Sequence, residues 1–138
     1  MGYVLDVAYR HDQEPKHLRT REDVDAFVDE LATLGPAYSA ATAYAVKENS
    51  DELPGHELLI GVSTRTGLGA VRYSGEGGTY YLRGERANPE GVSFGYFGTA
   101  AEFPVDAEVP LTLVREALWG LLASRGDRPD GLSWTETD

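Results

Sequence analysis

ELLIGVSTRTGLGAVRYSGEGGTYYLR, residues 57–83, is the stretch whose reading decides the fold. It contains three short β-prone runs, Glu57–Ser63, Leu68–Tyr73 and Thr79–Arg83, separated by Thr64 to Gly67 and by Ser74 to Gly78. Connections this short join antiparallel neighbours, because a parallel crossover needs about a dozen residues or more. A fourth run, Val92–Phe97, follows the longer Arg86–Gly91 loop and extends the expected meander. The glycines of these turns lack the following helix and the Lys-Ser/Thr pair of a phosphate-cradling loop, so they read as hairpin punctuation.

On the N-terminal side, Tyr3 to Arg10 alternates, with Tyr3, Leu5, Val7 and Tyr9 on one face, as a half-buried strand does. Thr20 then precedes Arg21-Glu22-Asp23 as a helix cap, and Glu22 and Asp23 suit the positive end of the helix dipole. Val24, Phe27, Val28, Leu31 and Leu34 form one apolar stripe, and Gly35-Pro36 supplies the expected stop. Tyr38–Val46 reads as a strand of small residues, followed by a charged surface loop from Lys47 to Gly55.

On the C-terminal side, Glu102-Phe103-Pro104 reads as an edge strand. Val109-Pro110 opens a second helix carrying Val114, Ala117, Leu118, Leu121 and Leu122 on one face, which Gly126 ends. Leu132 to Glu136 alternates as a final strand that buries Trp134. The pattern predicts one α+β domain over residues 1–138: a mostly antiparallel sheet, or meander, with two helices packed on one face.

A net charge of −11 disfavours nucleic acid as a partner, since such binding depends on Lys and Arg neutralising phosphates. The charge is uneven: residues 1–60 and 89–138 carry −7 and −6, whereas 61–88 carry +2. No apolar run approaches the roughly 20 residues that span a bilayer, and Met1 to Asp6 does not resemble a secretion signal. With no cysteine, these features lead us to expect a cytoplasmic protein without membrane contact, disulfides or thiolate chemistry.

Catalytic signals are sparse. His11, Asp12, Glu14 and His17 read as a solvated polar loop rather than a metal site, and His56 beside Pro54-Gly55 reads the same way. The many carboxylates are scattered, and no spacing nominates an acid–base pair. We therefore expect no metal, no cofactor and no enzymatic activity. The carboxylates form a more suggestive group as a surface. Asp25 and Asp29 stand one turn apart beside Glu30, a repulsion nothing nearby relieves, and Glu48, Asp51 and Glu52 follow in the charged loop. Together they make a candidate acidic patch for a basic partner. Tyr80 and Tyr81 are adjacent on a strand and face opposite sides, and Tyr81 is the aromatic chosen as a possible interface anchor.

The order Glu102-Phe103-Pro104, Val109-Pro110, Val114-Arg115-Glu116-Ala117-Leu118, Gly126-Asp127-Arg128-Pro129 and Trp134 resembles the first-numbered immunity-protein family of bacterial polymorphic toxin systems. The match covers about 35 residues, and upstream only the element order is similar. Pro110, Gly126, Pro129 and Trp134 each suit a structural role: first helical turn, helix C-cap, block to continuation and buried area. Arg128 belongs to the same motif. The resemblance implies an antitoxin that binds and occludes a cognate toxin domain, often a nucleic-acid deaminase, encoded beside it. An acidic protein suits that task, because its carboxylates can stand where a toxin's groove would take phosphates. Alternatives are an acidic regulatory module of another system or a carboxylate-dependent hydrolase.

Overall fold

A computed structural model describes residues 2–8, 16–35, 38–48, 54–63, 65–97 and 99–137. The elements in chain order are β1 (Tyr3–Ala8), β2 (Lys16–Leu18), α1 (Arg21–Leu31), β3 (Ala40–Lys47), β4 (Glu57–Val62), β5 (Leu68–Gly75), β6 (Gly78–Leu82), β7 (Val92–Tyr96), β8 (Thr99–Phe103), β9 (Val109–Pro110), α2 (Leu111–Ala123) and β10 (Trp134–Glu136). The main sheet runs β10-β6-β5-β4-β3-β1-β2, with β9 also pairing to β5, and every pairing is antiparallel. The expected α+β class and the helices on one face are both present.

The expected helix N-terminus at Thr20 is a capping box. Thr20 Oγ1 accepts from the Asp23 amide at 3.1 Å, and the Asp23 carboxylate accepts from the Thr20 amide at 3.2 Å. The hydrogen bond from the Arg19 amide is the foremost influence holding Asp23 below the usual carboxylate range. α1 ends at Leu31, short of Gly35-Pro36, because the amide and hydroxyl of Thr33 both turn back onto the Glu30 carbonyl and tighten the last turn. Val24, Phe27, Val28 and Leu31 are no more than 2% exposed. Burying those four side chains contributes about 6–12 kcal/mol before the entropy of ordering them.

The sheet is apolar under the helices and over part of its opposite face. Under the helices lie Leu5, Val7, Ala41, Ala43, Leu58, Ile60, Val71 and Leu82. On the opposite face Ala40, Leu59, Ala70 and Tyr81 form a second core. The strand over Val92–Tyr96 corrects the expected meander: β7 leaves the main sheet, pairs with β8 as a separate hairpin and covers that second core. Its alternation fits a half-buried strand in either setting, so periodicity alone does not choose the partner. Ser39 fastens the hairpin, its amide donating to the Gly95 carbonyl at 2.9 Å and its Oγ accepting from the Gly95 amide at 2.8 Å.

The close of α2 holds another correction. The Gly126 amide reaches the Leu121 carbonyl at 3.0 Å and the Arg125 amide the Leu122 carbonyl at 3.1 Å, the paired bonds of a Schellman motif. With Ser124 as C-cap, the left-handed residue after it is Arg125, at φ 59°, and Gly126 lies one position further, at φ 100°. Pro110 likewise sits one position before its expected place, as the N-cap.

Candidate partner-binding surface

Asp25, Asp29 and Glu30 of α1 are brought together, but each of the three meets a cation. Arg115, on α2, donates to the Asp25 carboxylate at 3.1 Å and to Asp29 at 2.6 Å, and also to the Asp25 carbonyl. The Asp25–Asp29 repulsion is thus relieved, by a guanidinium 86 and 90 positions away in the chain. Lys16 pairs with Glu30, Arg21 with Glu116, and Arg19 with Glu48 at 2.7 Å. Exposed pairs of this kind add at most about 1 kcal/mol each, so their main effect is to hold carboxylates in fixed positions. Glu22 is unpaired among the described residues. Asp51 and Glu52 lie outside the described residues.

Tyr81 is only 8% exposed. It faces the core under the β7–β8 hairpin, and its hydroxyl donates to Asp106 at 2.7 Å, a bond that foremost raises its pKa above the ordinary phenol value. The more exposed member of the pair is Tyr80, with Arg128 stacked 4.3 Å from its ring centre. Both sheet faces are covered here, which alternation does not reveal.

The C-terminal motif forms a clasp. Trp134 Nε1 donates to the Pro129 carbonyl at 2.8 Å, Trp134 packs against Tyr73, and the Tyr73 hydroxyl donates to the Gly126 carbonyl at 2.7 Å. His56 completes it. Its ring lies parallel to Tyr73 and against Gly126, and Nε2 accepts from the Ala45 amide at 2.9 Å. The expected solvated histidine is therefore a half-buried wedge between the sheet and the end of α2.

An Nε2 that accepts is unprotonated, and burial, opposed by Asp127, lowers the His56 pKa below its ordinary 6.5. Above that pH neither folded nor unfolded chain binds the proton. Below it the unfolded chain takes up a proton that the folded one resists, so stability falls as pH drops from about 6.5 towards the folded-state pKa. Thermal midpoints measured from pH 8 to 5 should decline through the lower half of that range, and His56→Phe should remove part of the slope. An unchanged slope would separate His56 from the acid response.

Away from the hairpin, the open sheet face carries a polar row that the sequence reading missed. Asp6 lies opposite His17 and Tyr44, the Tyr44 hydroxyl donates to Glu57 at 2.7 Å, Glu57 lies opposite Ser74, and Ser74 opposite Thr79. Burial foremost, then Glu57, raises the Tyr44 pKa, so its phenol serves as a neutral donor rather than a base. Among the described residues no three His, Cys, Asp or Glu side chains group closely enough to hold a metal ion. His11 lies outside them.

Concavities among the described residues add to this surface. A cleft of about 870 Å³ lies between the β6–β7 loop and the start of α2, with Leu82, Val109 and Leu113 in its floor and Arg86 and Glu108 among its charged lining residues. A smaller pocket of about 400 Å³ lies where β1, β3 and the end of α2 meet. No described helix is long and apolar enough to cross a membrane.

The sequence profile described as Immunity protein Imm1 matches residues 12–136, which spans both helices, the hairpin and the clasp. The chain belongs to the Imm1 immunity-protein family. No curated protein matches it. Of the residues that carried the resemblance, Gly126, Pro129 and Trp134 lie in the clasp, whereas the acidic face and polar row of this Imm1 protein present chemistry outward.

Proposed function

We propose that this Imm1 protein is an antitoxin that binds a cognate polymorphic toxin domain and neutralises it by stoichiometric occlusion, without metal, cofactor or turnover. The observation that carries the reading is the family match over residues 12–136. The net charge of −11 supports a toxin whose own substrate is a polyanion, a nucleic-acid deaminase or nuclease, working in the cytoplasm the antitoxin protects. On this reading Asp25, Asp29, Glu30 and Glu48, with Asp51 and Glu52, face the basic substrate groove. Arg115, Lys16 and Arg19 preset those side chains. Two carboxylates held by one guanidinium remain net negative, and their fixed geometry lowers the ordering cost of association.

The test is titration of the purified protein against the toxin domain encoded upstream of it, at low and at high salt. The expected result is 1:1 binding that abolishes toxin activity, with an on-rate that falls about tenfold or more between the two conditions as screening weakens steering. Absence of binding at micromolar concentration would refute the antitoxin reading for that pair. Tight but salt-insensitive binding would move the interface off the acidic face.

A further inference from the structure

The smaller pocket stands out on an acidic protein because its polar lining donates hydrogen bonds and has little to accept them. Tyr3, Arg19, Lys47, Trp119 and Arg125 surround about 400 Å³ of space. Arg19 is already met by the Glu48 carboxylate at 2.7 Å. The Tyr3 hydroxyl, the Lys47 ammonium, the Trp119 indole N–H and the Arg125 guanidinium have no acceptor among the described residues, and the Arg125 guanidinium lies 5.6 Å from the Tyr3 ring centre. Four donor groups lining one concavity, none met by an acceptor among the described residues, suit an anionic ligand rich in acceptors.

An independent observation points the same way. Arg125 occupies the left-handed position after the α2 C-cap, at φ 59°, where glycine is the residue without a steric penalty. The Schellman bonds engage the Leu121 and Leu122 carbonyls, which removes two of the acceptors at this helix end. Arginine there strains the backbone and places a guanidinium in the pocket, and strained residues of this kind cluster at binding sites.

We infer that this pocket is a receptor for one carboxylate side chain of the protein partner, received between Lys47 and Arg125 against the Tyr3 and Trp119 rings. The inference rests on the antitoxin reading for the partner's identity. A nucleic acid is disfavoured by the net charge of −11, which repels a polyanion over distances at which a single carboxylate on a basic protein is still attracted. Tyrosine, tryptophan and arginine are also the usual anchors of protein interfaces. Beside an acidic face, one cationic socket fixes the register of the partner and rejects a toxin lacking the matching acid, which would leave the donors desolvated and unpaired.

The experiment compares the full-length wild type with R125G, K47A and the control R65A, a substitution in the exposed β4–β5 turn. Each is measured for thermal midpoint and for affinity towards the upstream-encoded toxin domain. R125G is expected to unfold at the same or a higher temperature than wild type, yet to bind about tenfold or more weakly through faster dissociation. K47A should show a similar loss and R65A none. R125G binding within twofold of wild type would overturn the pocket while leaving the antitoxin reading intact.

If the wild type itself does not bind, the antitoxin reading fails for that pair and a second arm decides the pocket. In it the ¹H–¹⁵N spectrum is titrated with an acetylated, amidated tri-glutamate peptide and, separately, with a hexathymidylate. Movement of the Trp119 indole and Arg125 signals with the peptide supports the carboxylate receptor. Movement with the oligonucleotide alone, or with neither probe, overturns it.

Discussion

Gly126→Ala is expected to destabilise the protein by about 2–5 kcal/mol and to lower its thermal midpoint by roughly 10 °C. Two costs combine. At φ 100° any side chain strains the backbone, which takes about 1–2 kcal/mol. A Cβ at this position would also stand 2.6 Å from His56 Cε1 and 2.9 Å from Nδ1, and that ring cannot yield freely because Nε2 is held by the Ala45 amide. Overpacking of this sort takes about 1–3 kcal/mol more. Against a total stability of about 5–15 kcal/mol, the change is severe. The Gly126 carbonyl is the acceptor for Tyr73, so displacement of the turn also loosens the clasp around Trp134. Equilibrium denaturation measures the loss. A His56→Ala change in the same chain should recover the packing share but not the backbone share, a non-additivity that identifies the clash. Equal losses with and without the His56 ring would show that φ alone demands glycine here.

Gly126 also marks where sequence legibility ends. That a glycine follows α2 is readable. That Arg125 takes the left-handed position depends on which amide reaches which carbonyl, and that is a tertiary outcome. Both helices are legible because their signals are local: a cap three residues from its partner, a stripe at intervals of three and four, a proline at the entrance. β2 is invisible because three residues after a polar run show no period, and it exists through its register on Leu5, Asp6 and Val7. The exchange of β7 from meander to covering hairpin turns on Ser39 and on the second core, both distant in the chain. The candidate surface divides likewise. The acidic cluster of α1 is legible as charge, but its pairing with Arg115 is not, and the donor pocket draws on β1, β3 and α2, so no window of sequence contains it.

Gly61→Val is expected to cost about 3 kcal/mol or more, and to lift the β7–β8 hairpin before it disturbs the helices. Gly61 lies within β4, one residue from its end, where an ordinary side chain would usually gain about 0.5–1 kcal/mol over glycine through lower backbone entropy. That gain is outweighed, because a Cβ here would sit 2.3, 2.4 and 2.7 Å from three atoms of the Phe94 ring. Phe94 is buried and meets Phe103 edge-to-face with ring centres 5.7 Å apart, which hinders the ring from yielding. The hairpin's means of relief is to move off the sheet, where its other ties include the Ser39–Gly95 bonds, the Thr42–Tyr96 hydroxyl contact and Arg72 over the Phe103 ring. Hydrogen exchange should accordingly report lost protection in residues 92–103, while α1 and α2, packed on the opposite face, keep theirs. Phe94→Ala in the Gly61→Val background should restore part of the stability, since the valine occupies volume the ring vacates. Uniform loss of protection across both faces would instead mean that the two cores unfold as one unit. In that case the hairpin would be an integral part of the fold rather than a separable cover on the face away from the proposed interface.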